Sequence, residues 1–336
     1  MTIRIGAVGL GRLGYQHAYN LKFSIPGADL VALCDVDTVR LARTASEWGV
    51  PKIYGSFDAM IAEGGLDAVA ISSPSPRHAE QVALALECGL HVFCEKPLGT
   101  TVAACRVAEA AVERNPDRVF MLGFMRRYDP SYVHAKRLVE QGAIGRPILF
   151  RGYSQDPESA ILGTLAYAGH SGGVFIDMAV HDIDLARWFM GSEPKSIFAV
   201  GGCYAHPEFA QFGDGDNVAA LMQLQDGGMV FLLAGRTAPH GYHVETEIIG
   251  TRGVLRIASV PQKNMVEILD QYGVRHECSQ DFLERFGEAY RAEMKEFVRC
   301  IRDACQPEVS VYDGTRCTEI AFACKEAFES KALVNR

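Results

Sequence analysis

A glycine-rich segment near the start of the chain has the spacing of a phosphate-binding loop. Gly9–Gly14 reads GLGRLG, with the apolar run Ile3–Val8 before it and a helical pattern after it. The first glycine permits a tight turn, the second lets the main chain approach a pyrophosphate, and the third allows close packing of helix on strand. The helix N-terminus then faces an anion. The segment therefore predicts a dinucleotide site.

A carboxylate ends the second predicted strand. Asp35 follows Gly14 by 21 positions, where an acidic side chain can accept hydrogen bonds from ribose hydroxyls and repel a 2′-phosphate. This favours NAD over NADP. Two alternatives stay open: Asp35 can simply cap the turn that it begins, and Arg12 and Arg40 are close enough in sequence to accommodate a 2′-phosphate.

A lysine follows the fourth predicted strand, in Glu95-Lys96-Pro97. Ligands of doubly wound folds bind at this carboxyl edge of the sheet, so Lys96 can reach the nicotinamide of a bound dinucleotide. Pro97 restricts Lys96 to an extended conformation, and the bond between them could be cis. Without this context, Lys96 would be an ordinary surface lysine.

An aspartate and a histidine four residues apart form the third candidate group. Asp177 and His181 fall on one face of a helix predicted from Asp177 to Met190, where they can form an acid–histidine pair. The alternative is that Asp177 only N-caps this helix and that His181 is a buried histidine with satisfied hydrogen bonds. Asp182 and Asp184 are predicted to be solvated or capping.

Two differently built regions must position these residues. Residues 1–122 alternate short apolar runs with amphipathic stretches, which predicts an α/β Rossmann domain with a doubly wound parallel sheet. Residues 123–336 predict an α+β domain with a large, mainly antiparallel open sheet for substrate binding and oligomerisation. Helices predicted at Asp177–Met190, Phe286–Ala304 and Asp313–Ser330 can cover one sheet face. The opposite face is then free to pair with another subunit.

Composition narrows the classes of partner and compartment. The 336 residues carry a formal charge of −8, with 48% apolar and 22% charged residues, as in ordinary globular proteins. An acidic chain is a poor partner for nucleic acid or anionic membranes. Neither a signal-peptide pattern nor a long apolar stretch is present, which predicts a cytoplasmic location. Ten cysteines without C-x-x-C or Cys/His spacing predict buried thiols and no metal site.

The three chemical motifs together resemble the Gfo/Idh/MocA oxidoreductase family, and the resemblance spans nearly the whole chain. Within that family, Gly123–Asp129, Ser154–Pro157 and Gly173–Trp188 are similar to the inositol dehydrogenases. Two positions depart from the pattern. Gln155 stands where the family often has arginine, and His240 where it often has tyrosine, which bears on the preferred stereoisomer.

The resemblance implies a dehydrogenase that uses NAD to oxidise a secondary hydroxyl of a cyclic polyol, myo- or scyllo-inositol. Its implied catalytic residues are Lys96, Asp177 and His181. We expect neutral His181 to act as general base, Lys96 to polarise the oxygen, and Asp177 to orient His181 or a substrate hydroxyl. The expected cofactor-binding residues are Gly9, Gly11, Arg12, Leu13, Asp35, Ser73, Pro74, His78, Glu95, Lys96 and Arg126. The expected substrate-binding residues are Lys96, Met125, Arg126, Asp156, Asp177, His181 and Tyr242.

Other functions remain as alternatives. One is a dehydrogenase of a pyranose sugar such as glucose, and another is an NAD-dependent glycosidase that oxidises its sugar transiently. A third is a non-catalytic NAD or sugar sensor, which would keep the glycine-rich loop without needing Lys96 and His181 together. The strand-rich second domain also predicts a homodimer or homotetramer.

Overall fold

A computed structural model describes residues 2–63 and 65–336. The chain groups into two compact units. The first contains the residues up to Met125 together with Glu288–Thr318, and the second contains Arg126–Gly287 together with Glu319–Arg336. The first break thus falls near the predicted boundary at residues 122 and 123. Glu288–Thr318, which the sequence analysis places in the second domain, groups with the first unit.

The first unit contains a six-stranded sheet in which every neighbouring pair is parallel, in the order β3-β2-β1-β4-β5-β6. Its strands are β1 (Ile3–Val8), β2 (Ala28–Cys34), β3 (Lys52–Tyr54), β4 (Ala68–Ile71), β5 (His91–Glu95) and β6 (Phe120–Gly123). The helices between them are α1 (Arg12–Phe23), α2 (Thr38–Trp48), α3 (Phe57–Ala62), α4 (His78–Glu87) and α5 (Val102–Arg114). This strand order is that of a Rossmann dinucleotide-binding fold, so the predicted fold is confirmed.

Two short elements of this sheet region were not predicted. Strand β3 has only three residues, and helix α3 has six, too few to show a strand or helix period. Ser56 accepts a hydrogen bond from the main-chain N–H of Ala59 and caps α3. This capping was the local signal for the helix.

The second unit is built on a seven-stranded sheet with the order β12-β11-β7-β10-β9-β8-β15. Its strands are β7 (Pro147–Pro157), β8 (Pro194–Gly202), β9 (Asn217–Leu224), β10 (Met229–Ala238), β11 (His243–Gly250), β12 (Val254–Ile257) and β15 (Val334–Asn335). Strands β13 (Glu267–Asp270) and β14 (Gly273–His276) form a separate antiparallel pair. Strands β7 and β10 pair in parallel, and the other neighbours pair antiparallel. The mainly antiparallel sheet is confirmed, with one parallel pair inside it.

Five helices of eleven residues or more follow β6 in the described part of the chain. They are α6 (Pro130–Glu140), α7 (Ile161–Ser171), α8 (Val180–Met190), α9 (Phe282–Asp303) and α10 (Val311–Ser330). Helix α7 was not predicted, and α9 contains a non-helical residue at Phe286. Because Glu288–Thr318 groups with the first unit, most of α9 and the start of α10 do not belong to the second unit that they were expected to cover.

The two faces of the large sheet differ. Helix α8 packs against β7 and β10, and the Phe189 ring on α8 stacks on Phe150 of β7. Along β8, Ile197 is buried while Phe198 and Val200 are exposed. One face therefore forms the core of this unit and the other is open. Within residues 2–63 and 65–336, no helix has the length and apolar character that crossing a membrane requires.

Candidate active site

The glycine-rich loop is shaped by close approaches at two of its three glycines. Gly9 has φ +83°, and a Cβ there would lie 2.4 Å from the carbonyl oxygen of Ser72. A Cβ on Gly14 would lie 2.1 Å from the carbonyl oxygen of Gly9. A Cβ on Gly11, by contrast, would meet nothing within 4 Å. The protein's own packing requires glycine at positions 9 and 14, while the space at Gly11 is open to a ligand.

Helix α1 begins directly after Gly11, and no side chain in the described ranges caps its N-terminus. The first N–H groups of a helix lack partners within the helix, and they form an anion site where the main chain is accessible. Arg12 and Leu13 occupy the first turn. Open space at Gly11 beside an uncapped helix start fits the pyrophosphate of a dinucleotide.

Asp35 lies directly after β2 and is fixed by the same loop. Its carboxylate accepts hydrogen bonds from the main-chain N–H groups of Leu10 and Asp37, and Asp37 in turn caps α2. Asp35 therefore holds its turn, as the alternative reading proposed, while its position after β2 also suits ribose binding. The Arg40 guanidinium lies 3.1 Å from the Asp37 carboxylate and 4.0 Å from that of Asp35.

The turn that follows β5 carries Lys96, and the Lys96–Pro97 bond is cis. His78, at the start of α4, lies behind this turn. Its Nδ1 is 2.8 Å from the carbonyl oxygen of Pro97, and its Nε2 is 2.7 Å from that of Ser73. Burial lowers the pKa of His78, against the effect of these two carbonyl contacts. His78 thus links the segment after β4, which includes Pro74, to the lysine turn.

Asp177 and His181 belong to the second unit, whereas Lys96 belongs to the first. Asp177 lies in a π-helical turn, Phe175–Ala179, and its main-chain N–H donates to the carbonyl oxygen of Gly173 at 2.9 Å. His181 is in the first turn of α8 and is 8% exposed. Because Ala179 occupies the N-cap position of α8, Asp177 does not cap this helix. Local π-helical turns are frequent at functional sites.

The prediction that Asp182 and Asp184 are solvated or capping is wrong. Both are 1% exposed and form ion pairs with two consecutive arginines. Arg126 Nη1 lies 2.8 Å from Asp182 Oδ1, and Arg127 makes two hydrogen bonds to Asp184. The partners are 56 and 57 residues apart, beyond the reach of local patterns. Adjacent arginines after a strand and two aspartates in an apolar helix were the available signal.

Arg126 is the centre of a buried polar group in the second unit. Its Nη2 donates to Ser154 Oγ at 3.1 Å, and the hydroxyl of Ser154 donates to Asp182 at 2.6 Å. Burial opposes the charge of Arg126, but Asp182, Tyr242 and Tyr132 together outweigh burial, so the pKa of Arg126 lies above its ordinary value. Tyr242 hydrogen-bonds Arg126, and burial raises the pKa of Tyr242. Because Arg126 is only 2% exposed, its guanidinium group interacts with Asp182, Ser154 and Tyr242 rather than with solvent.

Of the remaining predicted substrate residues, Asp156 and Tyr242 lie in the second unit, and Met125 is buried at the end of the first. Asp156 is near the end of β7 and interacts electrostatically with Tyr242. Of the two departures from the family pattern, Gln155 is 7% exposed, and His240 Nε2 lies 3.2 Å from Nδ1 of His243. In the sequence, Gln155 is adjacent to Asp156, and His240 is two residues before Tyr242.

One group of potential metal-binding side chains in the described ranges comprises His17, Glu95 and Glu293, all buried and all in the first unit. Glu95 was predicted to bind the cofactor, whereas His17 and Glu293 were not predicted as site residues. His17 is 78 positions from Glu95, and Glu293 comes from α9. No local spacing connects these residues.

Comparisons with known proteins agree with the motifs. The family model described as "Oxidoreductase family, NAD-binding Rossmann fold" matches residues 3–124, and that of the GFO/IDH/MocA C-terminal domain matches residues 132–256. The scyllo-inositol 2-dehydrogenase (NAD(+)) of Bacillus subtilis strain 168 is 35% identical, over 98% of this chain and 94% of its own. Lactobacillus casei scyllo-inositol dehydrogenase, solved with bound NAD(H) and scyllo-inositol, is 44% identical with a TM-score of 0.97, covering 100% and 99% of the two chains. Myo-inositol 2-dehydrogenase from Lactobacillus plantarum is 38% identical with a TM-score of 0.97, over 100% and 99%.

The glycine geometry predicts different consequences for two alanine substitutions. Gly11→Ala should change the free energy of unfolding without cofactor by less than about 0.5 kcal/mol, because the added methyl group meets open space. It should weaken NAD⁺ binding about tenfold or more, since the methyl group stands where the pyrophosphate approaches. Gly14→Ala should cost about 1–3 kcal/mol of unfolding free energy even without cofactor, because its Cβ strikes the main chain.

Chemical denaturation without cofactor and calorimetric titration with NAD⁺ measure the two quantities. Equal loss of stability in both variants, or undiminished NAD⁺ affinity in Gly11→Ala, would contradict the assignment of this loop.

Proposed function

This chain belongs to the Gfo/Idh/MocA oxidoreductase family, and we propose that it oxidises one secondary hydroxyl of myo- or scyllo-inositol to the ketone with NAD as acceptor. The observation that carries the proposal is a Rossmann loop open at Gly11 and flanked by Asp35, in a chain that also has Lys96, Asp177 and His181. Inositol is the proposed substrate because similar proteins that cover the whole chain are named for it.

The proposed chemistry divides the work between cofactor and protein. Bound NAD supplies the hydride acceptor. His181 takes the proton of the reacting hydroxyl, since a neutral imidazole is suited to proton transfer near neutral pH. Lys96 donates a hydrogen bond to the same oxygen and stabilises its developing negative charge. Asp177 orients His181 or a neighbouring substrate hydroxyl.

Residues of the second unit are proposed to contact the substrate hydroxyls that do not react. Asp156 and the hydroxyl of Tyr242 supply an acceptor and a donor, which suits the multiple hydroxyls of a cyclic polyol. Arg126 acts through two neighbours: it hydrogen-bonds Tyr242, and it pairs with Asp182, which is the next residue after His181. In this proposal Arg126 is a positioning residue that fixes both Tyr242 and the start of α8.

The proposed base gives a test that separates chemistry from cofactor binding. His181→Ala should lower kcat for inositol about 10²–10⁴-fold, because the proton acceptor is lost. Lys96→Met should cost at least about 10²-fold, because it removes a charge and a hydrogen-bond donor from the reacting oxygen. NAD⁺ affinity of the folded His181→Ala variant, measured by calorimetry, should change much less than kcat.

His206→Ala is the matched control, because His206 pairs with Glu158 at the surface and has no proposed role. A His181→Ala variant that binds NAD⁺ and turns over inositol at a rate near that of the wild type across pH would remove His181 from the mechanism.

Asp35 determines the proposed preference for NAD over NADP. Asp35→Ser and Asp35→Asn should each raise the ratio of kcat/KM for NADP⁺ to that for NAD⁺ about tenfold or more, since both remove the charge that repels a 2′-phosphate. Asn keeps only one of the two carboxylate oxygens that accept the N–H groups of Leu10 and Asp37, so the free energy of unfolding of each variant is the control for a change in loop structure. An unchanged ratio in both variants, or equal use of the two cofactors by the wild type, would refute the assignment.

The open face of the large sheet supports a proposal that the protein is a homodimer or homotetramer. Phe198, Leu221 and Phe231 are direct neighbours across β8, β9 and β10, and Phe198 and Leu221 are 40% and 54% exposed. The same row continues into Arg151 on β7, which pairs with Glu245 and Glu247 of β11. An apolar patch beside a charged ladder suits a second copy of this sheet.

Sedimentation measures this assembly. We expect a species of at least twice 36.7 kDa at micromolar concentration, and Leu221→Lys should shift it toward the monomer because it places a charge in the apolar row. A wild type that sediments only as a 36.7 kDa species would contradict the proposal. Cysteines in the thiol form fit the proposed location in the reducing cytoplasm.

A further inference from the structure

A buried cluster of three titratable side chains lies at the end of β5 in the first unit. It consists of His17 on α1, Glu95 on β5 and Glu293 on α9, with one ligand-type atom of each within 4.8 Å of the others. Their exposures are 1%, 5% and 0%. Around the cluster, His17 contacts the rings of Phe93 and Tyr290. The cluster is therefore shielded from water by aromatic side chains.

Glu95 connects this cluster to the lysine turn. Its Oε1 lies 2.6 Å from Nε2 of His17, and its Oε2 accepts the main-chain N–H of Lys96 at 3.1 Å. The carboxylate has room because its neighbour on β6 is Gly123, where a Cβ would lie 3.0 Å from Oε1. The position of Lys96 thus depends directly on the position of the Glu95 carboxylate.

The carboxyl group of Glu293 is buried without a hydrogen-bond partner on either oxygen among the described residues. Two ionised carboxylates buried this close would carry a large desolvation and repulsion cost, even with His17 beside them. Burial and the neighbouring Glu95 raise the pKa of Glu293 well above its ordinary value. The cluster needs either an additional proton or a metal ion.

The geometry favours the proton. A separation of 2.6 Å between His17 Nε2 and Glu95 Oε1 is that of a direct, charge-assisted hydrogen bond. Two ligands bound to one zinc ion at about 2.0–2.2 Å in tetrahedral geometry stand farther apart than this. Both oxygens of Glu95 are also already engaged, by His17 and by the N–H of Lys96.

We propose that Glu293 is a protonated carboxylic acid at neutral pH, that its neutral form leaves the Glu95 carboxylate free to contact His17 and the N–H of Lys96, and that the cluster positions Lys96. Glu293 and His17 are positioning residues that act through Glu95. The consequence for Lys96 rests on the proposed dehydrogenase function. The protonation of Glu293 does not rest on it.

Infrared spectroscopy tests the proton without any assay of activity. The difference spectrum between wild type and Glu293→Gln at pH 8 should contain the carbonyl stretching band of a protonated carboxylic acid. Glu296→Gln is the control, because Glu296 lies on the same helix and is ionically paired with Arg299; its difference spectrum should lack that band. A carboxylate band in place of the acid band, or one equivalent of divalent metal retained after dialysis against a chelator, would overturn the proposal.

Kinetics tests the positioning of Lys96. Glu293→Leu should lower kcat for inositol about tenfold or more, with a smaller change in NAD⁺ affinity, because a displaced lysine is misaligned with the reacting oxygen. The Glu293→Gln variant should keep kcat within about threefold of the wild-type value, because a neutral amide replaces a neutral acid. Equal losses in the two variants, or no loss in either, would overturn the proposal.

Gly123→Ala provides an independent perturbation if Glu293→Leu does not fold. Its Cβ would reach the Glu95 carboxylate from β6, and kcat should fall while NAD⁺ affinity changes less. A Gly123→Ala variant with unchanged kcat would count against the positioning role. Wild-type turnover of inositol, measured in the same assay, distinguishes failure of this inference from failure of the proposed dehydrogenase activity.

Discussion

A charge buried away from water needs a partner, and this requirement fixes the surroundings of the candidate site residues in each unit. In the second unit, Arg126 pairs with Asp182 and Arg127 with Asp184, so the segment after β6 is tied to the first half of α8. His181 precedes Asp182 in the same helical turn. The proposed base is thus held by two ion pairs that take no part in the proposed chemistry.

The first unit meets the same requirement with different groups. His17 pairs with Glu95, which receives the N–H of Lys96, while His78 contacts the carbonyl oxygen of Pro97. The lysine turn is therefore held on both sides by buried histidines. Such support behind reactive groups keeps them within the narrow range of positions that catalysis requires.

The sequence predicted those features that depend on local patterns. The doubly wound parallel sheet, the Gly9–Gly14 loop and the strand before Lys96 were all predicted from short apolar runs and glycine spacing, and the structure confirms the fold. The family followed from three motifs and is confirmed by the comparisons. Asp177 and His181 were proposed from their spacing and from the family resemblance, and the segment that carries them begins with a π-helical turn.

The remaining features depend on contacts between distant parts of the chain. Asp182 and Asp184 were misassigned because their arginine partners are 56 and 57 residues away. Glu293 was missed because only the fold brings α9 to β5 within the first unit. The parallel pairing of β7 with β10 was missed because strand direction is not encoded in alternation. Polar residues in apolar helices were the one local sign of these contacts.

The sequence motifs determine the choice of substrate less well than the reaction class. Gln155 and His240 replace residues common in the family, and they lie next to Asp156 and near Tyr242 in the sequence. The most direct test of the account is therefore to mix the purified protein with NAD⁺ and myo-inositol, scyllo-inositol, D-chiro-inositol or D-glucose, and to follow NADH by absorbance. We predict stoichiometric NADH and ketone from myo- or scyllo-inositol, with slower or no reaction of glucose. An absence of NADH with every inositol would contradict the account.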